Sequence, residues 1–268
     1  MTPLRPQGAA LITGASGGIG YELAVCCASG GYPLVLAARR LDELERIASD
    51  LRRRFDVEVT VLRCDLAEPG AVEALVAQVR QAGLQIELLI NNAVFGTYGP
   101  FVESDTAAQL QMLQVNCSAL THLTRLLLPD MVERRRGRVL NVASTAAFQP
   151  GPLMAVYYAT KAYVVSFSSA LRTELSGSGV TVTALCPGPT KTDFQERAGI
   201  RHLRLISLGL MEANAVAQAG YRGMMAGRRL EIPGWSNRLC AVAVRVMPMA
   251  LTLRLLWYLQ QHRRIGPA

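Results

Sequence analysis

A chain of 268 residues, half of them hydrophobic and 18% charged, is long enough to bury a sizeable core and too apolar for wholesale disorder. The formal charge is +8, but the basic clusters at 52–54, 134–138, 228–229 and 263–264 lie far apart without interleaved aromatics, which excludes a dedicated nucleic-acid face. They read as a solvated surface, with attraction for phosphorylated cofactors or acidic lipid as the alternative. Six scattered cysteines (26, 27, 64, 117, 186 and 240) form no C-x-x-C and no Cys/His cluster, so free thiols in a reducing compartment and no metal are expected. The opening MTPLRPQG is neither a signal nor a transit peptide, and a cytoplasmic protein is the expectation.

In chain order, short apolar runs alternate with longer helical patterns. The runs are AALITGA (9–15), PLVLAAR (33–39), VEVTVLRC (57–64), IELLINNA (86–93), RVLNVAS (138–144), VTVTALCP (180–187) and RLEIPG (229–234). Between them, LDELERIASDLRRRF (41–55) and AVEALVAQVRQAG (71–83) carry apolar residues at helical spacing. Strands apolar on both faces require helices on both faces. The pattern therefore predicts one α/β domain over 1–268, a doubly wound Rossmann-type fold with a parallel, seven-stranded sheet. No repeat or linker divides it.

The first run ends in TGASGGIG (13–20) and a helical pattern follows at once. Gly14, Gly18 and Gly20 permit a tight turn, close approach to a pyrophosphate and close helix–strand packing, while Ser16, Gly17 and Ile19 complete the loop. The helix N-terminus then presents amides to negative charge. An ordinary strand–helix connection is the competing reading. At the end of the second run stand Ala37-Ala38-Arg39-Arg40, with no acid before Asp42. An acid there would favour the free ribose of NAD; two arginines favour the 2′-phosphate of NADP, with Arg39 the preferred clamp. Both arginines starting the next helix is the alternative. Asp65 and Leu66 follow the third run, where the carboxylate suits an adenine amino group and equally an N-cap.

Around 154–165 the chain reads MAVYYATKAYVV, placing Tyr157 and Tyr158 just before Lys161, one of only two lysines. Spacings of three and four both share a helix face, so geometry lets either tyrosine pair with it. Taken in order, 13–20, Asn91-Asn92-Ala93, Asn116, Ser144, Tyr157-x-x-x-Lys161 and Pro187-Gly188 resemble the short-chain dehydrogenases/reductases over about residues 8–194. That resemblance selects Tyr157. It implies Tyr157 as general acid/base and Lys161 as the charge that lowers the phenol's pKa and binds the nicotinamide ribose. Ser144 would donate to the substrate oxygen, and Asn116 would hold a relay water. Asn92, Ala93, Pro187, Gly188, Thr190 and Thr192 would contact cofactor. A compact ammonium suits such a role better than a planar guanidinium. One departure is Val94, where the family commonly has glycine. His122 and His202 have no evident carboxylate partner and are read as structural.

The resemblance also places a substrate flap at about 190–212, whose Leu203, Leu205, Ile206, Leu208, Leu210 and Met211 suit either a hydrophobic carbonyl or simple packing. The tail at about 236–262 resembles the extension of the bacterial DltE-like subgroup. Arg245, Pro248 and Arg254 interrupt its apolar run, so a helix pair packed on the domain or a partner subunit is preferred, then peripheral membrane contact, then a span. A homodimer or homotetramer is implied by resemblance only. The leading function is NADP(H)-dependent interconversion of a small-molecule carbonyl and alcohol. A non-catalytic NADP(H)-binding protein and a sugar-nucleotide epimerase are the competing classes.

Overall fold

All seven apolar runs become strands of one sheet in the computed structural model, which describes residues 6–207 and 209–261. Leu208, the Arg263–Arg264 cluster and the end of the tail at His262 lie outside the described residues. The strands are β1 (Ala9–Thr13), β2 (Leu34–Ala38), β3 (Val59–Arg63), β4 (Ile86–Asn91), β5 (Gly137–Val142), β6 (Val180–Leu185) and, after two short flap strands, β9 (Leu230–Glu231). They pair in parallel in the order β3-β2-β1-β4-β5-β6-β9, the doubly wound topology expected. Strands β1 and β2 are buried along their whole length, as strands covered on both faces must be.

Helices α1 (Gly18–Ser29), α2 (Leu41–Phe55) and α9 (Ala213–Met225) cover one face through Leu23, Leu44, Ile47, Val216 and Met224. Helices α3 (Ala71–Gln81) and α5 (Leu120–Glu133) cover the other through Val72, Leu75, Leu123 and Met131. In α2, Leu44, Ile47, Ala48 and Leu51 form the buried stripe, with Asp42 and Glu43 in its first turn and Arg52, Arg53 and Arg54 in its last. The basic cluster at 52–54 is thus a helix C-terminus, where Arg53 and Arg54 pair with Asp50.

Two helical segments carry candidate site residues. Helix α6 (Ala155–Glu174) follows β5. Helix α4 (Thr106–Leu113) continues into α5 through a wider π-helical turn at Gln114–Ala119, which contains Asn116. Such a turn inserts a residue and re-aims side chains, and it is frequent at functional sites. Beyond β6, the flap holds β7 (Thr190–Lys191), α7 (Phe194–Arg197), α8 (Arg204–Ser207) and β8 (Met211–Glu212), with β7 and β8 pairing as a separate two-stranded ribbon that the sequence pattern had not indicated. The tail forms α10 (Trp235–Val246) and α11 (Met249–Gln260), broken at Pro248 as anticipated. Among the described residues no helix is long and apolar enough to cross a membrane, and no metal-ligand cluster occurs.

Candidate active site

The parallel register brings the ends of β1, β2, β4, β5 and β6 to one edge of the sheet. There a cavity of about 590 Å³ runs from the glycine turn to Tyr157 and on beneath the flap. It is lined by Gly14, Ser16, Gly17, Gly18 and Ile19 at one end, by Arg39, Arg40, Asp65 and Leu66 beside them, and by Ser144, Tyr157 and Lys161 at the other. Asn92, Ala93, Pro187, Gly188, Thr190 and Thr192 line it between. Gly20 and Asn116 stand behind the wall.

The turn after β1 works because side chains are missing. Gly14 has φ +65°, and a Cβ there would meet the Ala93 backbone at 2.9 Å. A Cβ on Gly20 would lie 2.4 Å from both the Gly14 carbonyl and Asn92 Nδ2, so only glycine lets α1 start so close to the strand. Asn92 braces this turn: its Nδ2 donates to the Thr13 and Gly14 carbonyls at 3.0 and 3.1 Å. Thr13 Oγ1 accepts from the Asn92 and Ala93 amides in return. Helix α1 has no side-chain cap and no acid in its first turn, which leaves its first amides directed at the cavity for an anion.

Arg40 spans to that loop, its Nη2 donating to the Ser16 carbonyl at 2.9 Å and lying 3.3 Å from Ser16 Oγ. Arg39 lines the same end of the cavity. Asp65 caps a turn, with Oδ1 accepting from the Ala67 amide at 3.1 Å, while Gly70 precedes α3; the N-cap alternative for Asp65 therefore fails by five residues. Val94 lines the cavity.

At the other end, Ser144 follows β5 and caps a short 3-10 turn, its Oγ accepting from the Ala146 amide at 3.1 Å and lying 3.4 Å from the Pro187 carbonyl. Its hydroxyl also stands close enough to the Tyr157 phenol to act on that group's titration. Tyr157 sits in the first turn of α6, packed on Phe194 of the flap at 5.4 Å and edge-on to Tyr158 at 6.0 Å between ring centroids. Lys161, one turn on, is buried; its Nζ donates to the Val142 carbonyl at 2.8 Å and stands 5.7 Å from the Tyr157 ring centre.

Burial is the dominant electrostatic fact here. It pushes the Tyr157 phenol well above its ordinary value of 10, the neighbouring Ser144 hydroxyl acting in the opposite sense and Tyr158 adding to the rise. It also pulls Lys161 down from 10.5 to about 8, against smaller upward effects of Cys117 and Cys186. The Lys161 ammonium is turned toward the Val142 carbonyl, and burial remains the leading influence on the ring.

Asn116 is buried rather than a surface residue. The π-helical turn aims its side chain at the loop after β4, where Oδ1 accepts from the Phe95 amide at 3.0 Å and Nδ2 donates to the Phe95 carbonyl and to Thr160 Oγ1. It therefore ties that loop to α6. His122 has a partner after all, Glu73 at 3.8 Å, but both are exposed and belong to the surface between α3 and α5.

Three features are not visible in the sequence. Asn91 and Asn141 bond each other at 2.8 Å inside the sheet and reach Thr124 and Ser168, fastening β4 and β5 to the helices. Phe194 is the ring against Tyr157. Gln260, the last residue of α11, is buried against the cavity; its Nε2 donates to Tyr158 Oη at 2.7 Å, its backbone carbonyl accepts from Tyr98, and its Oε1 has no partner among the described residues. Its only sequence signal is polar character eight residues after Thr252, on a helix that is mostly apolar apart from Arg254. Tyr158 is thereby drawn into a contact with the tail. Beside it, Met154, Ala198, Ile200 and Leu203 with Ile206 form an apolar compartment that both packs the flap and lines the cavity.

Comparison with known proteins agrees with this geometry. The family profile described as short chain dehydrogenase matches residues 8–201. Very-long-chain 3-oxoacyl-CoA reductase of Phaeosphaeria nodorum is 36% identical over 187 residues, 68% of this chain and 55% of that protein. The chain thus spans little more than half the length of that relative. A short-chain dehydrogenase from Sphingobium yanoikuyae, solved with NADPH, is 32% identical with a TM-score of 0.80, covering 97% of this chain and 98% of the other. A short chain dehydrogenase/reductase from Burkholderia phymatum, solved with NAD, is 27% identical with a TM-score of 0.80, covering 92% and 94%.

Proposed function

The chain belongs to the short-chain dehydrogenase family, and on that premise we propose that it is an NADP(H)-dependent oxidoreductase interconverting a carbonyl and an alcohol on a hydrophobic substrate. The observation that carries the reading is that one cavity joins a glycine turn, shaped so that no Cβ fits at Gly14 or Gly20, to a wall that holds Ser144, Tyr157 and Lys161 together.

The residues present fit a dinucleotide. Gly14, Gly17 and Gly18 with the first amides of α1 would hold the pyrophosphate. Arg39 and Arg40, with no carboxylate at the end of β2, would hold a 2′-phosphate; Asp65 and Leu66 would flank the adenine. When bound, the nicotinamide gives or takes the hydride. Lys161 would hold the adjoining ribose, and Thr190 and Thr192 would close over the dinucleotide, the Thr192 methyl standing where a Cβ on Gly18 would meet it at 2.9 Å.

The chain's own work is proton transfer and positioning. Ser144 donates to the substrate oxygen, and Tyr157 delivers its phenolic proton to the same oxygen in reduction or removes it in oxidation. A phenol held high by burial favours the protonated form, which suits the acid needed for reduction. Lys161, at about 8, offers a positive charge at neutral pH that stabilises the phenolate as it develops. Asn116 keeps the loop at Phe95 in register with α6 and so fixes the wall opposite Tyr157. The compartment of Met154, Ile200 and Leu203 accepts the apolar body of the substrate.

The test is consumption of NADPH and NADH across aliphatic, aromatic and steroidal ketones, aldehydes and 3-oxoacyl thioesters, with wild type beside Tyr157→Phe. Turnover lost in the variant while NADPH binding is retained is the expected result. Turnover that survives the substitution, or wild-type silence across the panel despite tight binding, would reject Tyr157 catalysis on these substrates.

A further inference from the structure

Helices α10 and α11 are turned inside out relative to ordinary surface helices. Along α11 the buried stripe is Thr252, Leu256 and Gln260, two of the three polar, whereas Leu251, Leu253, Leu255, Trp257 and Tyr258 are exposed. Along α10 only Ala241 is buried, while Trp235 and Val246 are each 80% exposed. Ten of the eighteen exposed large apolar side chains among the described residues fall within these two helices. Exposed apolar side chains concentrated in this way on two consecutive helices mark a contact surface rather than chance exposure.

Its charge indicates what it contacts. From 232 to 261 the chain has no Asp or Glu, and its charged residues are Arg238, Arg245 and Arg254. Arg238 is held by Glu231 at 2.9 Å and by the Ile232 carbonyl, and Arg245 lies over the Phe148 ring, so two of these cations are fixed at the margin of the apolar surface. Both tryptophans of the chain, Trp235 and Trp257, are on this surface with Tyr258. We propose that α10 and α11 form a docking face for a bilayer surface rich in anionic phospholipid, lying in the interface rather than crossing it. Aromatic rings that are half apolar and half polar settle at that depth, aliphatic side chains enter the acyl boundary, and arginines meet lipid phosphates.

A second copy fits less well. A two-fold contact through this face would bring Arg245 and Arg254 of each copy together on chains already carrying +8, and the one neighbouring carboxylate, Glu231, is already taken up by Arg228 and Arg238. The helices are also too short to span a bilayer, which agrees with in-plane docking. Helix α11 thereby has two faces: its polar stripe closes the cavity at Gln260, and its apolar surface meets lipid.

The two tryptophans are built-in reporters, since the chain has no others. The full-length protein would be titrated with phosphatidylcholine vesicles and with phosphatidylcholine vesicles containing about a quarter phosphatidylglycerol, a composition that adds negative surface potential. Tryptophan emission and co-sedimentation would be read together. We expect a blue shift and binding on the anionic vesicles, weaker by about tenfold or more on the neutral ones and in high salt. Val246→Glu with Leu255→Glu should remove the binding while leaving the melting temperature and NADPH affinity as in wild type. Absence of a shift with anionic vesicles, or equal binding by the double variant, overturns the proposal. So does a blue shift that grows with protein concentration without lipid, accompanies dimer formation and is lost in the variant, which would assign the face to a second copy.

Discussion

Replacing Lys161 with methionine should make the protein more stable at neutral pH while abolishing turnover. Burial lowers this amine from 10.5 to about 8, so at pH 7 the folded chain holds a charge it disfavours relative to the unfolded chain. The gap corresponds to about 3 kcal/mol. Methionine removes that cost but leaves the Val142 carbonyl without its 2.8 Å donor, a loss of about 1–2 kcal/mol. The net expectation is a gain of roughly 1–2 kcal/mol at pH 7, or a melting temperature higher by about 2–8 °C.

The pH dependence separates this account from general repacking. Below about 8 the lysine is protonated in both states and wild type bears the whole cost. Between about 8 and 10.5 the unfolded chain still binds a proton that the folded chain has released, so wild-type stability rises with pH. By pH 9.5 about 2 kcal/mol should be recovered, and the advantage of the methionine variant should vanish or reverse. Thermal melts of both proteins without added nucleotide, at pH 7 and pH 9.5, give the difference directly. A gap that is equal at the two pH values, or wider at the higher one, would refute the argument that charge burial sets it.

Three further changes probe other parts of the site. Gly20→Ala forces a Cβ to 2.4 Å from the Gly14 carbonyl and Asn92 Nδ2, and backbone cannot yield as a flexible side chain does. We expect a stability loss of about 1–3 kcal/mol and weaker dinucleotide binding, measured by melting and calorimetry; unchanged affinity would mean the turn does not hold the pyrophosphate. Arg39→Ala with Arg40→Ala should weaken NADPH by about 10- to 100-fold and leave NADH nearly unchanged, as loss of charge-assisted phosphate contacts predicts. Equal loss for both nucleotides in calorimetric titration would remove the basis for NADP preference. Gln260→Leu should move stability by no more than about 1 kcal/mol, because it removes an unpartnered buried carbonyl together with the Tyr158 contact. KM should shift between apolar and hydroxylated ketones while cofactor affinity stays constant; an unaltered preference would show that α11 does not border bound substrate.

Much of the scaffold was readable because its signals are local. A strand buried on both faces must be apolar throughout, so LVLAA at β2 declares itself. A turn in which a Cβ would strike backbone must be glycine, so 13–20 does the same. Ser144, Tyr157 and Lys161 were placed by family spacing, and the fold then brought all three to one wall of the cavity. The sequence also separated the tail from the Rossmann pattern and foresaw its break at Pro248.

What escaped the sequence is what depends on distant neighbours. Tyr157 and Tyr158 are equivalent by helix geometry. Only the packed structure turns one toward Ser144 and seats the other against Gln260, 102 residues away. Asn116 looks like an ordinary helical residue until the π-helical turn aims it at Phe95. The direction of the Tyr157 shift was likewise hidden, since a neighbouring lysine is visible in a sequence and the loss of solvent around a ring is not. Likewise, composition shows that α11 is apolar, but only the structure shows that its polar stripe is the face it buries. Backbone requirements and periodic burial are written residue by residue, whereas solvent exclusion and long-range pairing exist only once the chain has closed on itself.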